Sequence, residues 1–82
     1  MGRPVAFTDR AKADLRGIPQ DIAIQILHTL ARFLDSDEGD VKRLQGISPP
    51  VYRFRAQDYR IMFHDYGTHV EVTRVWNRRD AY

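Results

Sequence analysis

From Val51 onward apolar side chains recur at every second position, interrupted only by the two-residue link Gln57-Asp58. A helix cannot hold a period of two, so the stretch predicts a hairpin of Val51–Ala56 against Tyr59–Tyr66. So short a link also sets the register. Ala56 lies opposite Tyr59, Arg55 opposite Arg60, Phe54 opposite Ile61, Arg53 opposite Met62 and Tyr52 opposite Phe63. One face of the ribbon is then apolar and the other cationic. The apolar face, with Tyr52, Phe54, Tyr59, Ile61 and Phe63, needs cover from elsewhere in the chain.

The N-terminal half supplies it. Pro4-Val5-Ala6-Phe7 reads as a short strand with proline at its start. Thr8 has the hydroxyl to cap a helix, Asp9 adds negative charge to its first turn, and Ala11, Leu15 and Ile18 recur at helical spacing until Gly17 stops the run. Pro19 opens a second helix, on which Ile22, Ile26, Leu30, Phe33 and Leu34 trace one apolar stripe. The acidic run Ser36-Asp37-Glu38-Gly39-Asp40 has no period and reads as a solvated loop before Val41-Lys42-Arg43-Leu44-Gln45-Gly46. Pro49-Pro50 enforces extended geometry at the entry to the hairpin. Gly67-Thr68 makes the next turn, and His69–Trp76 is the last strand. The expected fold is α+β in the order β-α-α-β-β-β, with two N-terminal helices packed on one face of a mostly antiparallel four-stranded sheet. At 82 residues this is one domain, 1–82, with little room for a deep enclosed pocket.

Charge is unevenly spread. Residues 1–41 carry a net charge of −2 and residues 42–82 carry +4, and eleven of the thirteen basic side chains are arginine. The guanidinium fork matches a phosphate in two-point contact, so an anionic partner, nucleic acid first, is the expectation. The chain has no cysteine, which excludes a disulfide scaffold, a thiolate-bound zinc and a thiol nucleophile. Ile22–Leu34, the longest apolar region, is interrupted by Gln25, His28, Thr29 and Arg32, and the N-terminus lacks the layout of a signal peptide. The expected compartment is the cytoplasm. Asp35, Asp37, Glu38 and Asp40 do not make a calcium loop, since glycine is displaced from its sixth position and Gly46 stands where the loop ends in glutamate. His28, His64 and His69 lack ligand spacing, so no metal and no cofactor is expected.

Arg55 opposite Arg60, with Arg53 beside them, costs folding free energy, because like charges directly across a sheet repel. Solvated faces usually mix their signs, so an unmixed one reads as a phosphate cradle. Arg78-Arg79-Asp80-Ala81-Tyr82 adds two cations and a phenol just past the last strand. His64 shares the cationic face by parity, some distance along the strand from Arg60, and is the histidine nearest to a proton-transfer role.

These segments together resemble the RelE/ParE superfamily of bacterial and archaeal toxins, and within it the RelE-like ribonuclease branch of type II toxin–antitoxin systems. The resemblance spans essentially all 82 residues. It is carried by Val5-Ala6-Phe7-Thr8, by Val41–Gly46, by Tyr52–Arg60 across the hairpin and by Val75-Trp76-Asn77-Arg78-Arg79-Asp80-Ala81-Tyr82. It implies a microbial RNase-like fold and a toxin that cuts messenger RNA in the ribosomal A site without a metal, held inactive by a cognate antitoxin protein. By the same resemblance Arg53, Arg55, Arg60, Arg78 and Tyr82 are the catalytic set, while Lys42, Arg43 and Arg79 contact RNA, including ribosomal RNA. Several relatives have a histidine where this chain has Asn77. Two other outcomes are compatible with the same fold: a ParE-like toxin that poisons DNA gyrase without hydrolysis, and a degenerate member that binds RNA and cuts nothing.

Overall fold

The computed structural model describes residues 4–36, 40–44, 46, 50–77 and 79. A three-residue strand, β1 (Val5–Phe7), leads into helix α1 (Asp9–Arg16) and helix α2 (Gln20–Ser36). Thr8 caps α1 as its hydroxyl predicts: Oγ1 accepts the Ala11 N–H at 3.1 Å and donates to the Thr73 carbonyl at 3.2 Å. The Gly17 N–H closes the helix on the Ala13 and Asp14 carbonyls. After Pro19, whose carbonyl accepts the Ala23 N–H, α2 buries Ile26, Leu30, Phe33 and Leu34 from the expected stripe.

Beyond α2 the chain forms β2 (Asp40–Leu44), β3 (Val51–Ala56), β4 (Tyr59–Asp65) and β5 (Val70–Asn77). The sheet therefore has five strands where four were expected, in the order β1-β5-β4-β3-β2. The added strand is β2. Its apolar residues Val41 and Leu44 are three apart, out of step with a period of two, so no alternation marks it. What holds it is pairing to the edge of β3, where Val41 meets Phe54 and Lys42 meets Arg53. β1 runs parallel to β5 and every other pairing is antiparallel. The hairpin register is the one expected, from Ala56 opposite Tyr59 through Arg55 opposite Arg60 to Tyr52 opposite Phe63.

β5 breaks its own alternation. Arg74 pairs with Met62 but Val72 pairs with Phe63, so Thr73 is an extra residue, and its Oγ1 donates to the Met62 carbonyl at 3.2 Å. The bulge lets Val72 and Val75, an odd number of positions apart, both enter the core. That core joins Ala11, Ile26, Leu30, Phe33 and Leu34 of the helices to Phe54, Ala56, Ile61, Phe63, Val70, Val72 and Val75 of the sheet. Phe33 stacks on Phe54 with ring centroids 4.8 Å apart, and Tyr52 and Tyr59 pack against the cluster from its margin. Among the described residues no helix is long and apolar enough to cross a membrane.

The two tight turns of the sheet carry the left-handed backbone. Gln57 at the hairpin tip has φ 55°, the sign that a two-residue link requires at its first position. Gly67, between β4 and β5, has φ 84°, and its N–H donates to Asp65 Oδ1 at 2.8 Å. A Cβ on Gly67 would touch nothing within 4 Å, so the cost of adding one is purely that of the backbone angle. Gly67→Ala is expected to lower stability by about 1 kcal/mol, a fall in melting temperature of about 4–8 °C for a domain of this size. Thermal denaturation followed by circular dichroism checks it.

Candidate nucleic-acid interface

With both helices on one side, the opposite face of the sheet is free of them, and alternation along each strand decides what it displays. β3 contributes Arg53 and Arg55, β4 contributes Arg60, Met62 and His64, and β2 contributes Lys42 from its position opposite Arg53. Lys42, Arg53, Arg55 and Arg60 together line one shallow depression of about 150 Å³. Sites for drug-sized ligands run to about 300–1,000 Å³ and enclose most of the ligand, so this hollow suits one small anionic group of a larger molecule. Arg55 is exposed, and Arg53 and Arg60 are half-buried.

Asp14 binds Arg74 at 3.0 Å and Arg10 at 3.5 Å, on the flank of β5 where α1 sits. The same Asp14 oxygen that receives the Arg74 Nε also accepts the Val75 N–H at 3.0 Å. β1 covers β5 only from Val70 to Val72, so the carboxylate takes over where the strand partner ends. Burial alone would raise the Asp14 pKa. The Val75 N–H and the two guanidinium groups outweigh it and hold the carboxyl below its ordinary value.

The remaining candidates are dispersed. Arg43, expected to act with Lys42, lies opposite Tyr52 and so belongs to the other face of the sheet. Arg79 is exposed just beyond β5, and its N–H donates to Asn77 Oδ1 at 2.9 Å. Asn77 thus serves the local turn. Arg78 and Tyr82 lie outside the described residues. His64 is on the cationic face as parity required, but its Nδ1 is enclosed with no hydrogen-bond partner among the described residues, and its ring stacks on Tyr66, which stacks on His69. A larger open depression of about 580 Å³, lined in part by Gln25, His28, Arg32 and Gln57, lies along α2 and the hairpin tip, away from the arginine cluster.

Sequence reasoning missed Trp76. It pairs with Arg60 across β4 and β5, which puts it beside the cationic hollow. The three-residue step from Val72 to Val75 was the available signal, since only a bulge reconciles both valines with one face.

Residues 5–82 match the family described as the ParE toxin of type II toxin–antitoxin system, parDE. No curated protein sequence matches the chain. Among solved structures, the RelB–RelE antitoxin–toxin complex of Methanococcus jannaschii is 25% identical with a TM-score of 0.73, covering 94% of this chain and 94% of that one. The RelBE2 toxin–antitoxin complex of Mycobacterium tuberculosis is 24% identical with a TM-score of 0.77, covering 98% of this chain and 95% of that one. A free-state Escherichia coli RelE with two arginines replaced by alanine is 22% identical with a TM-score of 0.76, covering 99% of this chain and 88% of that one.

Proposed function

The chain belongs to the ParE toxin family of type II toxin–antitoxin systems, and on that footing we propose that it is a metal-independent endoribonuclease that cuts messenger RNA on the ribosome, in the cytoplasm. The observation that carries this reading is the convergence of Lys42, Arg53, Arg55 and Arg60 on one hollow, with Arg55 and Arg60 directly opposite one another across the hairpin. A fold gains no stability from like charges set opposite one another, so the cluster is best accounted for by an anion that it receives.

In the proposed reaction a ribose 2′-hydroxyl attacks the adjacent phosphate, the bond to the 5′-oxygen breaks, and the products are a 2′,3′-cyclic phosphate and a 5′-hydroxyl. Negative charge accumulates on the phosphorane oxygens as the transition state forms. Cations fixed in advance around that position stabilise it more than they stabilise the bound substrate. Arg53, Arg55 and Arg60 take that role, with Lys42 steadying the backbone beside them. Arginine, with a pKa above about 12, is a poor general base, so the proton transfers fall to other groups or to the ribosome-bound substrate. Arg78 is proposed as a further phosphate ligand, Tyr82 as the group acting at the 2′-hydroxyl or on the base, and Arg43 and Arg79 as contacts to RNA outside the hollow. A cognate antitoxin is the proposed protein partner, as in the M. jannaschii and M. tuberculosis complexes.

The matched family favours a second reading, a ParE-like toxin that poisons DNA gyrase. Induced expression followed by two maps separates them: the 5′ ends of ribosome-bound messages, and gyrase-linked breaks in DNA. Ribonuclease action predicts new message ends within minutes of induction and no rise in DNA breaks. The reverse pattern would replace the first reading by the second.

A further inference from the structure

Trp76 is the single tryptophan of the chain, and its surroundings are odd for so large an apolar side chain. It is half-buried, yet it is absent from the residues packed against the core, which take in its neighbour Val75. Alternation along β5 accordingly puts it on the face away from the helices, and its partner across the sheet is Arg60, one of the four side chains around the hollow. On its own strand, the Arg74 guanidinium sits 5.7 Å from the ring centroid, and Asp14 holds that guanidinium at 3.0 Å. The Asp14–Arg74 pair therefore fixes a cation against the indole and limits where the ring can go.

We infer that Trp76 is a base-stacking platform beside the phosphate hollow, receiving the nucleobase next to the phosphate held by Arg53, Arg55 and Arg60. The inference rests on the RNA-directed reading of that hollow. An aromatic ring one strand away from a phosphate-sized cationic site is the arrangement that single-stranded RNA fits: the backbone enters the charge and the unstacked base meets a π-surface. Stacking is tolerant of sequence, so the platform supplies affinity and base orientation, and the arginines supply the salt-dependent part of binding. The competing structural role is a lid over Arg74 and Met62 with no ligand.

Because Trp76 is alone, the protein's indole emission reports this position and no other. The full-length protein is titrated with a short single-stranded RNA and with an abasic oligonucleotide of equal length and charge. The RNA is expected to quench the emission, and the abasic strand to bind with the same salt slope without quenching. Trp76→Leu, which keeps apolar bulk, is expected to weaken RNA binding about tenfold with the salt slope unchanged, while Trp76→Tyr stays close to the parent. RNA binding with unmoved emission and an unaffected leucine variant would reduce Trp76 to a lid and leave the phosphate hollow standing. No RNA binding by the parent protein would remove both. Equal quenching by polyglutamate would reassign the surface to an acidic protein partner.

Discussion

Arg53→Ala/Arg60→Ala is expected to lose toxicity and message cleavage by at least about a hundredfold while melting no lower than the parent protein. The first half follows from electrostatics: removing one preorganised donor from a site of developing negative charge costs about 10²–10³ in rate, and losses at groups that act as a unit are not simply additive. The second half follows from the register. Arg60 stands directly opposite Arg55, and relieving that repulsion returns some tenths of a kcal/mol, which offsets the packing of the two aliphatic stems that truncation removes. Growth after induction and cleavage by purified protein measure the loss, and a melting curve measures the stability. A variant that is inactive because it is unfolded would contradict the assignment of these arginines to the site. Full activity in a folded variant would do so as well.

Asp14→Ala is expected to do the opposite, destabilising the protein by about 2–3 kcal/mol and lowering its melting temperature by about 10 °C or more. Asp14 has a side-chain exposure of only 15% and accepts from both the Val75 N–H and Arg74. Truncation leaves an N–H at the uncovered part of β5 without an acceptor and frees a guanidinium that the fold had fixed. The effect has a pH signature. The folded pKa of Asp14 lies below its ordinary value of 3.8, so as pH falls the unfolded chain takes up the proton first. The stabilisation is thus complete above the ordinary value and is lost as pH drops through the lowered one. Denaturant titrations of both proteins should show a constant gap at neutral pH that narrows below about pH 4. A gap independent of pH would mean that the carboxylate charge contributes nothing.

The hairpin was fully legible, because a two-residue link leaves one register in which Tyr52, Phe54, Ile61 and Phe63 share a face, and that register alone gathers Arg53, Arg55 and Arg60. The helices were legible for a similar reason: Thr8, Gly17 and Pro19 mark their ends and Ile26, Leu30 and Phe33 mark the buried stripe. β2 was not, since its identity depends on an edge of β3 far along the chain and not on its own apolar spacing. Missing β2 left the facing of Lys42 and Arg43 unassigned, and they prove to belong to opposite faces. The bulge at Thr73 hid Trp76 in the same way, because parity cannot be carried through an inserted residue without knowing where the insertion falls. Asp14 was invisible as a lock: its partners lie 60 and 61 positions away, and nothing in a helical spacing announces them.

The most direct test of the phosphate hollow uses purified protein, ribosomes loaded with a defined message, and the chemistry of the ends produced. The parent protein should leave a 2′,3′-cyclic phosphate upstream and a 5′-hydroxyl downstream, a single 2′-deoxy substitution at the cut position should prevent cleavage there, and Arg53→Ala/Arg60→Ala should leave the message whole. An intact message with the parent protein, or cleavage that persists undiminished without the two arginines, would contradict the account.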